Sequence, residues 1–164
     1  MDISSLSPVY WALLILGASS VFAALWFLDA LTHKKIVQDE ISVPELQTHR
    51  NILVASVLME CSLILMYWMP LAALPLFIAF WITRTAHEFI DELKYHSDRC
   101  SAYENYLHLG MWVSVIAKTG AMFIWGFFFQ FDGVFDLHPG LFVWAALLLL
   151  LMSWISWKEW GRSK

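Results

Sequence analysis

Charge is scarce in this chain. Only 15% of its 164 residues are Asp, Glu, Lys or Arg, against about a quarter in an ordinary soluble domain. That scarcity excludes a water-facing surface over most of the molecule. The basic residues are too few and too scattered to form a stripe, which excludes nucleic acid as a partner. Cysteine is rarer still, with Cys61 in an apolar run and Cys100 in a polar loop, so no disulfide is expected. The opening MDISSLSP holds no Lys or Arg, and the apolar run after it is longer than the core of a secretion signal, so a retained helix is expected. Internal repeats and low-complexity tracts are absent.

What is present is apolar and aromatic. Mean hydropathy is +0.62, and ten Trp and twelve Phe suit a protein whose outer surface meets lipid and headgroups. A spanning helix needs about 20 apolar residues. Five such spans are expected, over 10–31, 50–69, 74–93, 107–129 and 139–158, making an all-α polytopic bundle in which residues 1–164 form a single transmembrane domain. The third span has the shortest apolar stretch, LPLFIAFWIT. Merging it with the second over 51–83 would give about 33 residues and roughly 50 Å of helix, well over the ~30 Å of hydrocarbon. Met69-Pro70 and Pro75 are therefore expected to mark a tight turn.

The basic residues alternate with the spans. Lys34, Lys35 and Arg50 flank the first loop, Lys94 and Arg99 the third, and Lys158, Arg162 and Lys164 the tail, whereas the fourth loop carries Asp132 and Asp136. By the positive-inside rule the N-terminus lies outside and the C-terminus in the cytoplasm. The expected location is a bacterial inner (plasma) membrane. Each cytoplasmic loop ends in an S-x-x-E signal, Ser42 to Glu45 and Ser101 to Glu104, the pattern of a capping box that starts a helix.

Five of the six histidines, His33, His49, His87, His96 and His108, fall at the cytoplasmic ends of spans one to four. Helical spacing then groups the polar residues into stripes. The second span carries His49, Ser56, Glu60 and Tyr67, and the third Arg84, His87, Glu88, Asp91 and Tyr95. The fourth carries Glu104, His108, Met111, Val115 and Lys118, while Asp29 and His33 close the first. The fifth span has no polar face before Lys158 and reads as a lipid-facing scaffold. Counting 1.5 Å per residue inward separates a layer within roughly 7 Å of the cytoplasmic boundary from a deeper one at roughly 12 to 16 Å. The deeper layer is Glu60, Arg84 and Lys118, where lone charges would make poor spans, so Glu60 is expected to pair with Arg84 or Lys118.

The shallower layer, His87, Glu88, His108, Asp91, Glu104, His49, Asp29 and His33, is the candidate metal site. It resembles the parts of a dinuclear site in a helical bundle, although Asp29 to His33, Glu92 to His96 and Glu104 to His108 have i, i+4 rather than Glu-x-x-His spacing. Imidazole and carboxylate suit iron, the favoured ion, or zinc, whereas Ca and Mg prefer oxygen shells. Set beside lipid tails, such a site suits oxidative chemistry on a lipid or other lipid-soluble substrate. The alternatives are a proton- or metal-ion transporter or channel subunit, a b-type haem electron carrier with His87 and His108 as axial ligands, and an assembly subunit with a purely structural polar core. Membrane lipids are the expected partners, and self-association is compatible with the composition.

Bland readings compete with the metal site. Glu104 is also the capping-box residue, His33 and His49 sit beside basic headgroup-contacting residues, and Glu92, Lys94 and His96 read as a wet helix end. His87, Glu88 and His108 form the expected core of the site. His96 lies about 110° from the mean of the third stripe at 100° per residue and is expected to be dispensable.

Overall fold

The computed structural model describes residues 6–36, 42–96 and 101–160, without side-chain detail for 32–36 and 159–160. The described chain is all helical: α1 (Pro8–Ile36), α2 (Val43–Leu65), α3 (Pro70–Ile90), α4 (Ala102–Phe129) and α5 (Pro139–Trp160). Four of them, α1, α2, α4 and α5, are long and apolar enough to cross a membrane. α3 falls short of that because its last two turns hold Thr83, Arg84, Thr85, His87 and Glu88. The side chain of His33, and Arg99 and Cys100 entirely, lie outside the described residues.

The helix starts have local causes. Ser42 and Ser101 each accept from the backbone N–H three residues on, and Glu45 and Glu104 each accept from the cap residue's own N–H. Two of the orphan donors at each helix start are thereby satisfied. α2 and α4 accordingly begin several residues ahead of their apolar runs, at 43 and 102 rather than 50 and 107. Between α2 and α3 the turn is tight, and Pro70 occupies the first turn of α3, where its missing N–H is harmless. Pro75 is not part of that turn, contrary to the sequence expectation, but lies inside α3. Once Pro70 has set the helix start, Pro75 removes one backbone hydrogen bond without ending the helix.

α3 does not finish as an α-helix. Residues Asp91–His96 wind as a π-helical turn, in which the backbone bond reaches five residues back and the side chains leave the 3.6-residue phase. This departure positions the site described below.

α1 packs along α4 and α2 along α3, α5 lies on α1, and α4 makes smaller contacts with α2 and α3. α1 and α4 approach closely at Gly110, where an added Cβ would stand 2.7 Å from Leu25 Cδ1 and that side-chain end would have to shift. α5 is fixed to α1 by the Trp144 indole N–H donating to Ser20 Oγ at 3.0 Å and by Phe27 against Trp154. The two apolar cores sit at one end of the bundle, one around Trp11, Ala121 and Trp125, the other around Leu63, Met66 and Ala73. Gly133 closes the connection to α5 at that end with a left-handed φ of 72°, which glycine adopts without a Cβ penalty. Polar side chains concentrate at the opposite end, where α1 and α3 finish and α2 and α4 begin.

Candidate metal centre

At that polar end, seven side chains form a row. Asp29 Oδ1 stands 3.5 Å from His108 Nε2, and Glu92 Oε1 stands 2.7 Å from His108 Nδ1. Glu92 Oε1 is also 3.9 Å from His96 Nδ1, whose other nitrogen, Nε2, is 3.9 Å from Glu45 Oε1. Asp91 Oδ2 approaches His96 Nδ1 at 3.8 Å while its Oδ1 meets His49 Nε2 at 3.0 Å. The imidazole centroids of His96 and His108 are 5.0 Å apart, and those of His49 and His96 6.1 Å.

Two triads emerge from this row: Glu45, His49 and His96, and Glu92, His96 and His108. In each, one donor atom per residue lies within 4.8 Å of the others. At metal–ligand lengths near 2.1 Å, donors around one ion stand about 3 to 4 Å apart, so each triad needs only a modest contraction to close on an ion. His96 belongs to both triads and is 4% exposed. Glu45 is 1% exposed and His108 9%. At 2.7 Å, His108 Nδ1 and Glu92 Oε1 form an ion pair when the imidazole is protonated, and binding an ion through both would require that direct contact to open. His49 paired with Asp91 has the carboxylate–imidazole arrangement that orients metal-binding histidines.

The sequence-predicted residues divide. Asp29, His49, Asp91 and His108 are brought together at the row. His87 is not: its Nδ1 is bonded to the Thr83 carbonyl oxygen at 2.8 Å and its Nε2 to the Asn51 amide at 2.9 Å. Glu88 is held by the Arg84 guanidinium, which also donates through Nε to Ser56 Oγ at 3.0 Å. Glu104 is turned to its own helix start, accepting from Ser101 N–H at 2.8 Å. For the alternative of a haem held by His87 and His108, His87 would have to give up its bonds to Asn51 or the Thr83 carbonyl. His96, expected to be peripheral, stands at the centre because the π-helical turn delays its rotation about the helix axis and carries it inward. Glu45 was read only as a cap, and Glu92, although paired with His96 by spacing, was left out of the expected ligand set as part of a wet helix end. Their signal was the repeated carboxylate to His spacing of four, Glu45 to His49 and Glu92 to His96, which places both groups of each pair on one face.

Below the row runs a cavity of about 440 Å³, within the ~300 to 1,000 Å³ of small-molecule pockets. Its polar wall carries Arg84 with Glu88, and Lys118, whose ammonium donates to Glu60 Oε1 at 2.6 Å. Its other wall is apolar, with Phe22 and Trp26 of α1 and Leu149 and Met152 of α5. The expected pairing of Glu60 with a deep cation is thus present, and the cation is Lys118. Comparison with known families, curated proteins and solved structures finds no match to this chain.

Proposed function

We propose that this is an integral membrane protein that holds a transition-metal centre at the polar end of its bundle. All five helices cross the bilayer in this reading, including α3, whose deep charges are internally paired. The positive-inside pattern sets the N-terminus outside and the polar end at the cytoplasmic face of a bacterial inner membrane.

One observation carries the metal reading: two His/carboxylate triads share the buried His96. Imidazole and carboxylate donors held this close together in a low-dielectric interior suit a divalent ion, whose charge offsets that of the carboxylates. The donor set suits iron or zinc. Two ions, one per triad, would be bridged or flanked by His96, and iron in that position would serve oxidation of a lipid or other hydrophobic substrate drawn from the adjoining cavity.

Metal analysis of protein purified in mild detergent without chelators tests this reading. Wild type and His87→Ala are expected to retain metal, and His96→Ala to lose it while remaining folded. Metal-free wild type, or a folded His96→Ala protein with full metal content, refutes it.

A second reading has its own support. Glu88, Arg84 and Ser56, then Glu60 and Lys118, continue the polar row toward mid-bilayer along one cavity wall, as in a proton or cation path. Proton flux into liposomes carrying metal-free protein, abolished by Glu60→Gln, is the outcome that favours it.

A further inference from the structure

We propose that the cavity beneath the metal centre is a binding site for one long-chain compound with a small uncharged polar head, such as a long-chain alcohol, aldehyde or quinone, entering from the bilayer between α2 and α5. This deepens the metal-centre reading and rests on it for the placement of the head.

Three observations support the assignment. First, the cavity is elongated. Its lining on α2 extends from Leu46 to Ile64, about 27 Å along a helix, more than the ~15 Å of one leaflet's hydrocarbon. Second, it is sided. Imidazoles and carboxylates line the end where α1 and α3 finish, the paired Arg84 with Glu88 and Lys118 with Glu60 continue along one wall, and Phe22, Val57, Ile64, Leu149 and Met152 supply apolar lining, so a chain occupying it has one end at the imidazoles and its length along apolar side chains. Third, its rim is continuous with the outer surface of the bundle. Val57, Ile64 and Leu149 line the cavity and yet are 62%, 52% and 65% exposed, and α2 has no packing against α5 comparable with its packing against α3. In a bilayer that opening faces acyl chains, which selects a hydrophobic ligand arriving sideways over a soluble one.

Charge selects the head. Lys118 and Arg84 are already met by Glu60 and Glu88. At the cluster end the lining carries Asp29, Asp91 and Glu92 against the guanidinium of Arg50. With the divalent ions of the metal reading in place these carboxylates are offset, so the cluster holds no surplus charge to draw an ionic head, whereas a hydroxyl or carbonyl is met by its donors and acceptors.

The test uses full-length protein in lipid nanodiscs and a diazirine-bearing long-chain alcohol, with the crosslinked positions read by mass spectrometry and metal content measured in parallel. Labelling is expected to saturate near one probe per chain, to map to the cavity-lining parts of α2 and α5, and to be displaced by unlabelled long-chain alcohol but not by phosphatidylglycerol. Leu53→Trp, which fills the cavity, is expected to reduce labelling at least tenfold, whereas Leu150→Trp, on the outward face of α5, leaves it intact. Non-saturable labelling spread over the outward faces of the helices, or a folded Leu53→Trp protein labelled like wild type, overturns the site. Equal displacement by phosphatidylglycerol overturns the head assignment. Saturable labelling of metal-free protein preserves the cavity and removes the metal reading, and metal-loaded protein without saturable labelling does the reverse.

Discussion

Lys118 of α4 and Glu60 of α2 form an ion pair at 2.6 Å across the bundle, joining two helices that otherwise touch little. Lys118 is 8% exposed, so its charge depends on Glu60 for compensation. Removing one member of a buried pair typically costs about 3 to 5 kcal/mol. Glu60→Ala is expected to lower thermal stability in detergent sharply, and adding Lys118→Met to recover much of the loss because the stranded charge disappears. Additive losses in a double-mutant cycle refute the pairing.

Arg84 and Glu88 give a complementary test, since Glu88 was a metal candidate by sequence and is a counter-ion in the structure. Arg84 is 6% exposed, with its guanidinium on Glu88 and Ser56. Glu88→Gln leaves that cation buried with weaker acceptors, and a loss of about 3 kcal/mol or more is expected. Metal content per folded chain should be unchanged. A stable Glu88→Gln protein stripped of metal would reverse the assignment of roles.

The helices themselves were legible because hydrophobic run length and S-x-x-E caps are local signals. Both caps stand where those signals put them, and five helices overlap the expected spans with ends that differ by up to seven residues. The cluster was legible in composition, whereas its arrangement was not. Stripe arithmetic assumes 100° per residue, and the π-helical turn over Asp91–His96 breaks that assumption at the residues where it mattered. His87 and Glu88 precede the turn and find local partners, while His96 follows it and turns inward. Glu45 was hidden by a different cause: its capping role accounted for it fully, yet one carboxylate oxygen faces Ser42 and the other His96. The cavity had no sequence signal, because it depends on how α5 lies across α1.

Topology follows from the charge pattern and is checked on described residues. Ser101 starts α4 beside the basic third loop, and Asp136 lies in the 3-10 turn before α5. In a cysteine-free background, Ser101→Cys is expected to react with a membrane-impermeant maleimide only after the cytoplasmic face is exposed, and Asp136→Cys in intact cells. Labelling of both from one side removes the spanning role of α4.

The shared histidine makes a prediction about stoichiometry that separates two ions from one. If each triad holds an ion, His49→Ala breaks only the Glu45, His49 and His96 set, and His108→Ala only the Glu92, His96 and His108 set. Each variant should retain about half of the wild-type metal, while His96→Ala, which removes a donor from both sets, should retain little. His87→Ala should match wild type, because that imidazole is committed to Asn51 and the Thr83 carbonyl. Asp91→Asn, which weakens the carboxylate orienting His49, should reduce affinity about 10- to 100-fold without abolishing binding, as loss of an orienting partner does. Metal per chain, measured by mass spectrometry on monodisperse protein, distinguishes the arrangements. Equal and complete loss in His49→Ala and His108→Ala would mean one ion drawing on both triads, and unchanged metal in His96→Ala would place the ion elsewhere in the chain.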